Sequence, residues 1–206
     1  MTTTTDQPTY SSRFIHALQF ASHIHATQRR KGSEIPYLSH LMAVSALLMD
    51  CGGTENEAIG ALLHDAPEDC GGRPMLDRIR VTFGTEVANI VDGCTDTFEE
   101  PKPAWKPRKE AYISHLRTAL DSVRAVACAD KLHNMTCTVR DLRRDPDPAY
   151  WSRFSTGRDD QVWFYQGCLG AFKEGRPPAM LDEYEITLKA FKEISKVGSS
   201  CEPLNT

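Results

Sequence analysis

A chain of 206 residues with 40% hydrophobic and 25% charged residues is long enough to bury a sizeable core. Its formal charge of −4, from 24 Lys+Arg against 28 Asp+Glu, argues against generic duplex nucleic-acid binding, which needs a surplus of cations. The seven cysteines form no C-x-x-C pair, the N-terminus lacks a basic region leading into an apolar run, and no stretch approaches a membrane span. These features exclude the usual zinc-knuckle spacings and argue against a disulfide framework, and the chain is expected to lack a secretory signal and to be cytoplasmic, with most of its thiols acting as small buried hydrophobes.

Apolar positions recur at helical spacing almost throughout. Ser11 or Ser12 caps a first helix whose face is Phe14, Ala17, Leu18, Ala21 and Ile24, ending near the basic run Arg29-Arg30-Lys31-Gly32. Ser39 is expected to cap a second helix with Leu41, Val44, Leu47 and Leu48 inward, stopped by Gly52-Gly53. Thr54 and Glu57 form a capping box ahead of Ala58, Ile59, Ala61 and Leu62. Shorter helices follow around Met75 to Phe83 and from Thr85 through Val91, and another begins near Arg108 with Tyr112, Ile113 and Leu116 inward. Asp121 caps a long segment carrying Val123, Val126, Ala127, Leu132 and Val139; its start would suit a strand by pattern, but its length favours a helix. Two more helices run from Val162 to Phe172 and after Pro177-Pro178, with the prolines in the first turn of the last one. The expectation is an all-α bundle of about 8-10 helices. It forms a single domain over residues 9–197, with frayed termini at 1–8 and 198–206.

The polar intrusions into these apolar helices carry the chemistry. His64-Asp65 is followed by Glu68 and Asp69 at the end of an apolar helix, where burial without partners is costly. Pro67 disfavours the α region for Ala66, so the helix is expected to finish near Asp65, leaving Glu68 and Asp69 on the following turn to face a cleft. Asp130, His133 and Asn134, at i, i+3 and i+4, share one face of the long helix, and His40 precedes the apolar second helix. Two imidazoles and two carboxylates from three segments would make a mixed N/O site suited to Mn²⁺ or Fe²⁺ and tolerant of Zn²⁺. Spacing alone leaves capping and surface roles open for the same residues.

Four stretches together resemble one known family. They are Gln28-Arg-Arg-Lys-Gly-Ser-Glu-Ile-Pro-Tyr-Leu-Ser-His40, Ala61-Leu-Leu-His-Asp-Ala-Pro-Glu-Asp69, Phe83-Gly-Thr-Glu-Val-Ala-Asn-Ile-Val-Asp-Gly-Cys-Thr95 and Ala129-Asp-Lys-Leu-His-Asn134. In that order they resemble the HD superfamily of metal-dependent phosphohydrolases, and within it the hydrolase domain of RelA/SpoT-type alarmone enzymes, especially the small stand-alone alarmone hydrolases. The resemblance implies an HD-type helical bundle, one bound Mn²⁺, and hydrolysis of the 3′-diphosphate of guanosine tetra- or pentaphosphate to GDP or GTP and pyrophosphate. By position it implies metal ligands at His40, His64, Asp65 and Asp130, a catalytic acid pair at Glu68 and Asp69, and nucleotide contacts at Arg30, Lys31 and Asn134. Two departures bear on the nucleotide contacts: Ile35 is an extra residue between the basic pair and Pro36-Tyr37, and Thr136 stands where the family often has arginine. The expected partner is a small nucleotide, with no nucleic acid and no membrane. A different nucleotide (an adenosine alarmone, a monophosphate or a cyclic nucleotide) and a non-catalytic alarmone-binding role are the competing readings.

Three basic clusters and several histidines complete the reading. Arg29-Arg30-Lys31 and the proline-punctuated loop with Lys102, Lys106, Arg108, Lys109 and Trp105 are candidates for holding phosphates or stacking a base. Arg140, Arg143 and Arg144 read as a solvated helix end favourable to the dipole. His23 and His25 point about 200° apart on a helix, so they cannot grip one ion together. His25 is expected in the cleft or core, and His133 as a structural hydrogen-bonder beside Asn134.

Overall fold

The computed structural model describes residues 10–195. The expected termini 1–8 and 198–206, with Cys201, lie outside the described residues. Within them the chain forms ten α-helices: α1 (Ser12–Ile24), α2 (Leu38–Asp50), α3 (Glu55–Leu63), α4 (Ala66–Cys70), α5 (Gly72–Phe83), α6 (Thr85–Cys94), α7 (Trp105–Thr118), α8 (Asp121–Arg144), α9 (Arg158–Lys173) and α10 (Leu181–Ile194). A 3₁₀ turn covers Pro148–Arg153. Among the described residues the only β pairing is an isolated antiparallel bridge between Arg29 and Pro36. The all-α expectation holds.

The helix starts follow local chemistry where capping groups are present. Ser11 accepts from the Arg13 N–H to cap α1, and Thr54 with Glu57 makes the complete reciprocal box of α3. Five expectations need correction. Helix α1 ends at Ile24 and does not reach the basic run. Ser39 does not cap α2: it lies inside the first turn, and its hydroxyl donates to the Pro36 carbonyl. Helix α7 opens at Trp105, so Lys106, Arg108 and Lys109 belong to a helix and not to a loop. Asp121 is the first residue of α8 and not its cap. Pro177 and Pro178 precede α10, which starts at Leu181. Where a cap was misplaced, tertiary packing of the apolar face set the start in place of a side-chain hydrogen bond.

Helix α8 is the axis of the bundle, packing against α2, α3, α6, α9 and α10. Around it lies one hydrophobic cluster, with Val44, Leu116, Val126, Met135, Phe172, Tyr184 and Phe191 buried. A second cluster, with Ala17, Leu41, Ile59, Leu62, Ile79, Phe83 and Val91, fills the space between α1, α3, α5 and α6. Burying each of the larger side chains contributes about 2 kcal/mol. Helices α2, α3 and α6 feed both clusters, and their polar residues emerge where the clusters meet. The backbones of α3 and α6 approach so closely at Gly60 that a Cβ there would lie 2.6 Å from Ile90 Cγ2.

Arg124, 2% exposed, ties the bundle together. Its guanidinium donates to the carbonyls of Leu116 at 2.8 Å, Ala171 at 3.0 Å and Phe172 at 2.9 Å, and also to that of Glu174. These are acceptors at the C-terminal ends of α7 and α9, so a cation from the first turn of α8 serves two helix ends.

Candidate active site

Four polar side chains converge where α2, α3 and α8 meet. Helix α3 stops at Leu63, and His64 and Asp65 form the break before α4. The break falls earlier than expected from Pro67, because Ala66 is already helical and Pro67 sits in the first turn of α4, where its missing N–H costs nothing. Glu68 and Asp69 ride on α4, as a turn following the pair.

His40 and His64 are 1% and 3% exposed. His64 Nδ1 donates to the Ala61 carbonyl at 2.7 Å, which turns its Nε2 toward the carboxylates. Asp65 Oδ2 lies 3.0 Å from His64 Nε2 and 3.8 Å from His40 Nε2; Asp130 Oδ1 lies 3.1 Å from His40 Nε2 and 3.6 Å from His64 Nε2. The ligand atoms of His40, His64 and Asp65 fall within 4.8 Å of one another. Neither Nε2 atom has a hydrogen-bond partner of acceptable geometry although both are buried. Two orphaned imidazole nitrogens facing two carboxylates are the donor set a divalent cation takes, so the residues present fit such an ion.

The surroundings hold this set rigidly. The Tyr37 hydroxyl donates to Asp65 Oδ2 at 2.5 Å. Burial, then the Asp65 charge, push the Tyr37 phenol far up, which keeps it a donor. Asp130 accepts from Asn134 Nδ2 at 2.6 Å and pairs with Lys131, while Asn134 Oδ1 accepts from Arg30 at 2.7 Å. Burial opposes the ionisation of Asp130, yet Lys131 and the two histidines outweigh it and hold the carboxyl well below the usual range. His64 shows the converse balance: burial works against its charge, but Asp65 and Asp130 keep its imidazole well above the ordinary value. His40 is pushed down by burial.

Asp65 and Asp130 line a cleft of about 670 Å³, with His40 and His64 behind them. Glu68, Asp69, Arg30, Lys31 and Asn134 line the same cleft, so the structure brings the residues singled out in the sequence to one place. Glu68 accepts from the Asp96 N–H at 2.7 Å and from Lys102 at 3.3 Å, and Asp69 accepts from Gln28 at 2.8 Å. Burial, then the Asp65 charge, raise both acids above the ordinary carboxyl range. Of the second basic cluster, Lys102, Trp105 and Lys109 line the cleft; Lys106 instead stacks on Trp163, and Trp105 packs on Trp163 and Phe164.

Several cleft residues were missed. Arg140, read as part of a solvated helix end, lines the cleft, although it also pairs with Asp141. Tyr150 and Arg153 come from the 3₁₀ segment and Phe154 directly follows it, a stretch for which the sequence carries no helical periodicity. Arg153 lies over the Tyr150 ring and packs against Gly32, where a Cβ would meet its Cδ at 2.7 Å. The left-handed φ of +66° at Gly32 turns the Arg30-Lys31 loop back toward Pro36, with the Arg30 N–H donating to the Ile35 carbonyl. His25 is buried, as expected of a cleft or core position, and His133 makes the expected hydrogen bond, its Nδ1 facing His40 Nδ1 at 2.8 Å.

Comparison with known proteins places this geometry in context. The HD domain family matches residues 17–149. The guanosine-3′,5′-bis(diphosphate) 3′-pyrophosphohydrolase MESH1 of Xenopus tropicalis is 36% identical over 141 residues, covering 67% of this chain and 73% of the relative. The solved structure of a metazoan orthologue of SpoT that hydrolyzes ppGpp superposes with a TM-score of 0.71 at 26% identity, covering 87% of this chain and 95% of that one. The structure of lmo0812 from Listeria monocytogenes EGD-e superposes with a TM-score of 0.65 at 34% identity, covering 74% and 99%.

Proposed function

The chain belongs to the HD domain family, and on that premise we propose that it is a metal-dependent 3′-pyrophosphohydrolase of guanosine 3′,5′-bis(diphosphate)-type nucleotides. The observation that carries this reading is one cleft lined by Asp65, Asp130 and the acid pair Glu68 and Asp69, with His40 and His64 buried against the two aspartates, in a chain 36% identical to a pyrophosphohydrolase of that name. His40, His64, Asp65 and Asp130 would hold the ion, and their N₂O₂ set suits Mn²⁺. When bound, a divalent cation neutralises phosphate oxygens and makes water more acidic. Residues 9–197 act as one phosphohydrolase domain.

The side chains of the chain supply the rest. Arg30, Lys31 and Asn134 orient the nucleotide, and Arg30 and Asn134 are already joined at 2.7 Å. The new bond forms between a water oxygen and the phosphorus nearest the ribose, and the bond from that phosphorus to the 3′-oxygen breaks. The departing 3′-oxygen is strongly basic and needs a proton. Glu68, whose carboxyl burial and the Asp65 charge raise above the ordinary range, is the group placed to deliver it, with Asp69 beside it. The product is a nucleoside 5′-diphosphate or 5′-triphosphate with a free 3′-hydroxyl, plus pyrophosphate.

The test is an anion-exchange assay of the purified protein with Mn²⁺ against guanosine and adenosine 3′,5′-polyphosphates, nucleoside monophosphates and cyclic nucleotides. Pyrophosphate released from 3′-diphosphates supports the reading, and the guanine to adenine ratio sets base preference. Turnover of monophosphates alone overturns it. Glu68→Ala and Asp69→Asn are expected to lose at least roughly a hundredfold in kcat with metal content unchanged.

A further inference from the structure

Asp69 has one side-chain partner among the described residues, Gln28, whose Nε2 donates to Asp69 Oδ2 at 2.8 Å. The other end of that amide is also engaged: Gln28 Oε1 lies 2.5 Å from His25 Nδ1. Reversing the amide would set its carbonyl oxygen against the carboxylate, so the charge of Asp69 fixes which end faces it. His25 Nδ1 must then carry a proton and donate to Oε1. His25 itself is 3% exposed, sits at the C-terminal cap of α1, and has its ring against Tyr37 at 5.4 Å between centroids. The hydroxyl of Tyr37 in turn donates to Asp65.

The buried imidazole of His25 is engaged through Nδ1, by the Gln28 amide and at 3.7 Å by Cys70 Sγ, while its Nε2 is buried without a partner. Gln28 is half-buried and reaches across 41 residues of sequence to hydrogen-bond the acid. We propose that Gln28 and His25 are positioning residues for Asp69: His25 Nδ1–H locks the Gln28 amide, and the locked amide holds the Asp69 carboxylate aimed into the cleft. The chain of contacts His25, Gln28, Asp69 runs from the end of α1 to α4, so the entry of the basic loop and the acid pair are set by the same residue. The proposal rests on the role of Asp69 in the reaction given above.

The experiment is steady-state kinetics on guanosine 3′,5′-bis(diphosphate) with the full chain, with thermal melting and bound-metal content measured for each variant. Gln28→Leu keeps the volume and removes both hydrogen-bonding ends. It is expected to lower kcat roughly tenfold to a hundredfold, the range of a small misplacement of a reacting group, with KM within about twofold. His25→Leu is expected to follow it, and the double variant to be no worse than Gln28→Leu alone, because the two act in series. His25→Asn, whose amide N–H takes the place of Nδ1–H, recovers most of the kcat that His25→Leu loses. Gln28→Leu with wild-type kcat overturns the proposal, as does His25→Asn impaired as fully as His25→Leu, which would mark a packing role. A rise in KM with kcat retained also overturns it, by placing Gln28 on the substrate. Asp69→Asn separates the two layers: if it keeps turnover, the role of Asp69 falls and the relay with it; if it is inactive while Gln28→Leu is not impaired, only the relay falls.

Discussion

The Nδ1 atoms of His40 and His133 face one another at 2.8 Å, and only one of the two can carry the hydrogen. If His40 is to offer a lone pair at Nε2 to an ion shared with Asp65 and Asp130, its Nδ1 must be protonated and His133 must accept. His133 is free to do so: burial, then His40 and Arg30, push its pKa down to about 4, so it is neutral. Its own N–H then sits on Nε2, which lies 3.5 Å from Cys137 Sγ. His133 therefore fixes the tautomer of a ligand without touching the ion.

Replacing His133 should accordingly weaken metal binding without emptying the cleft. His133→Leu is expected to lower affinity for Mn²⁺ by about tenfold or more, the usual effect of losing a partner that orients a ligand. Competition with a chelator, followed by metal analysis of the desalted protein, measures it. Retention equal to the wild type contradicts the tautomer argument.

Metal uptake should also release a proton. In the metal-free protein His64 is held above its ordinary pKa, because Asp65 and Asp130 outweigh the effect of burial, so near neutral pH it is charged. Binding needs its neutral form. The two carboxyls are already ionised, as both are held below their usual range, and contribute no proton. Affinity therefore rises with pH by about tenfold per unit until the His64 pKa is passed, and falls as pH is lowered. Calorimetry at pH 6.5 in buffers of different ionisation enthalpy should show about one proton released per ion. A buffer-independent enthalpy would count against it.

Gly32→Ala tests the basic loop. A φ of +66° costs an alanine about 1 kcal/mol, and its Cβ would displace the Arg153 side chain, which can move at small cost because it is flexible. The expected result is a loss of about 1 kcal/mol in stability together with a rise of a few-fold in KM, since Lys31 and Arg153 both line the cleft. Denaturant unfolding and Michaelis kinetics read the two effects separately.

Arg124→Met removes a buried cation that serves four carbonyls at two helix ends. Removing this donor from the buried carbonyls at both helix ends should cost about 3 kcal/mol, far more than the loss of the side-chain packing, which methionine largely replaces. Thermal unfolding would show it as a drop of several degrees. The site residues are not in contact with Arg124, so per-molecule activity of the folded fraction should stay close to wild type.

The sequence by itself determined what depends on residues near one another along the chain. Helical periodicity decides fold class because a 3.6-residue repeat can bury only one face. The Thr54 and Glu57 box is local hydrogen bonding. The run from His64 to Asp69 and the face shared by Asp130 and Asn134 are visible as polar groups in apolar helices, where burial makes them costly unless they are used. Misplaced cap positions at Ser39 and Asp121 show the limit of that local reading: the start of α2 and α8 was set by which apolar face met the core. The tertiary structure alone decided that α8 would carry Asp130 to within 3.1 Å of His40 Nε2, some 90 residues earlier. It alone set the His40 to His133 and His25 to Gln28 to Asp69 contacts, the return of Arg153 from an aperiodic 3₁₀ turn over Gly32, and the clamp of Arg124 on two helix ends. Each of these joins groups from helices distant in sequence. Their orientation follows from how side chains of both hydrophobic clusters pack against α8, a three-dimensional constraint that no spacing along one helix encodes.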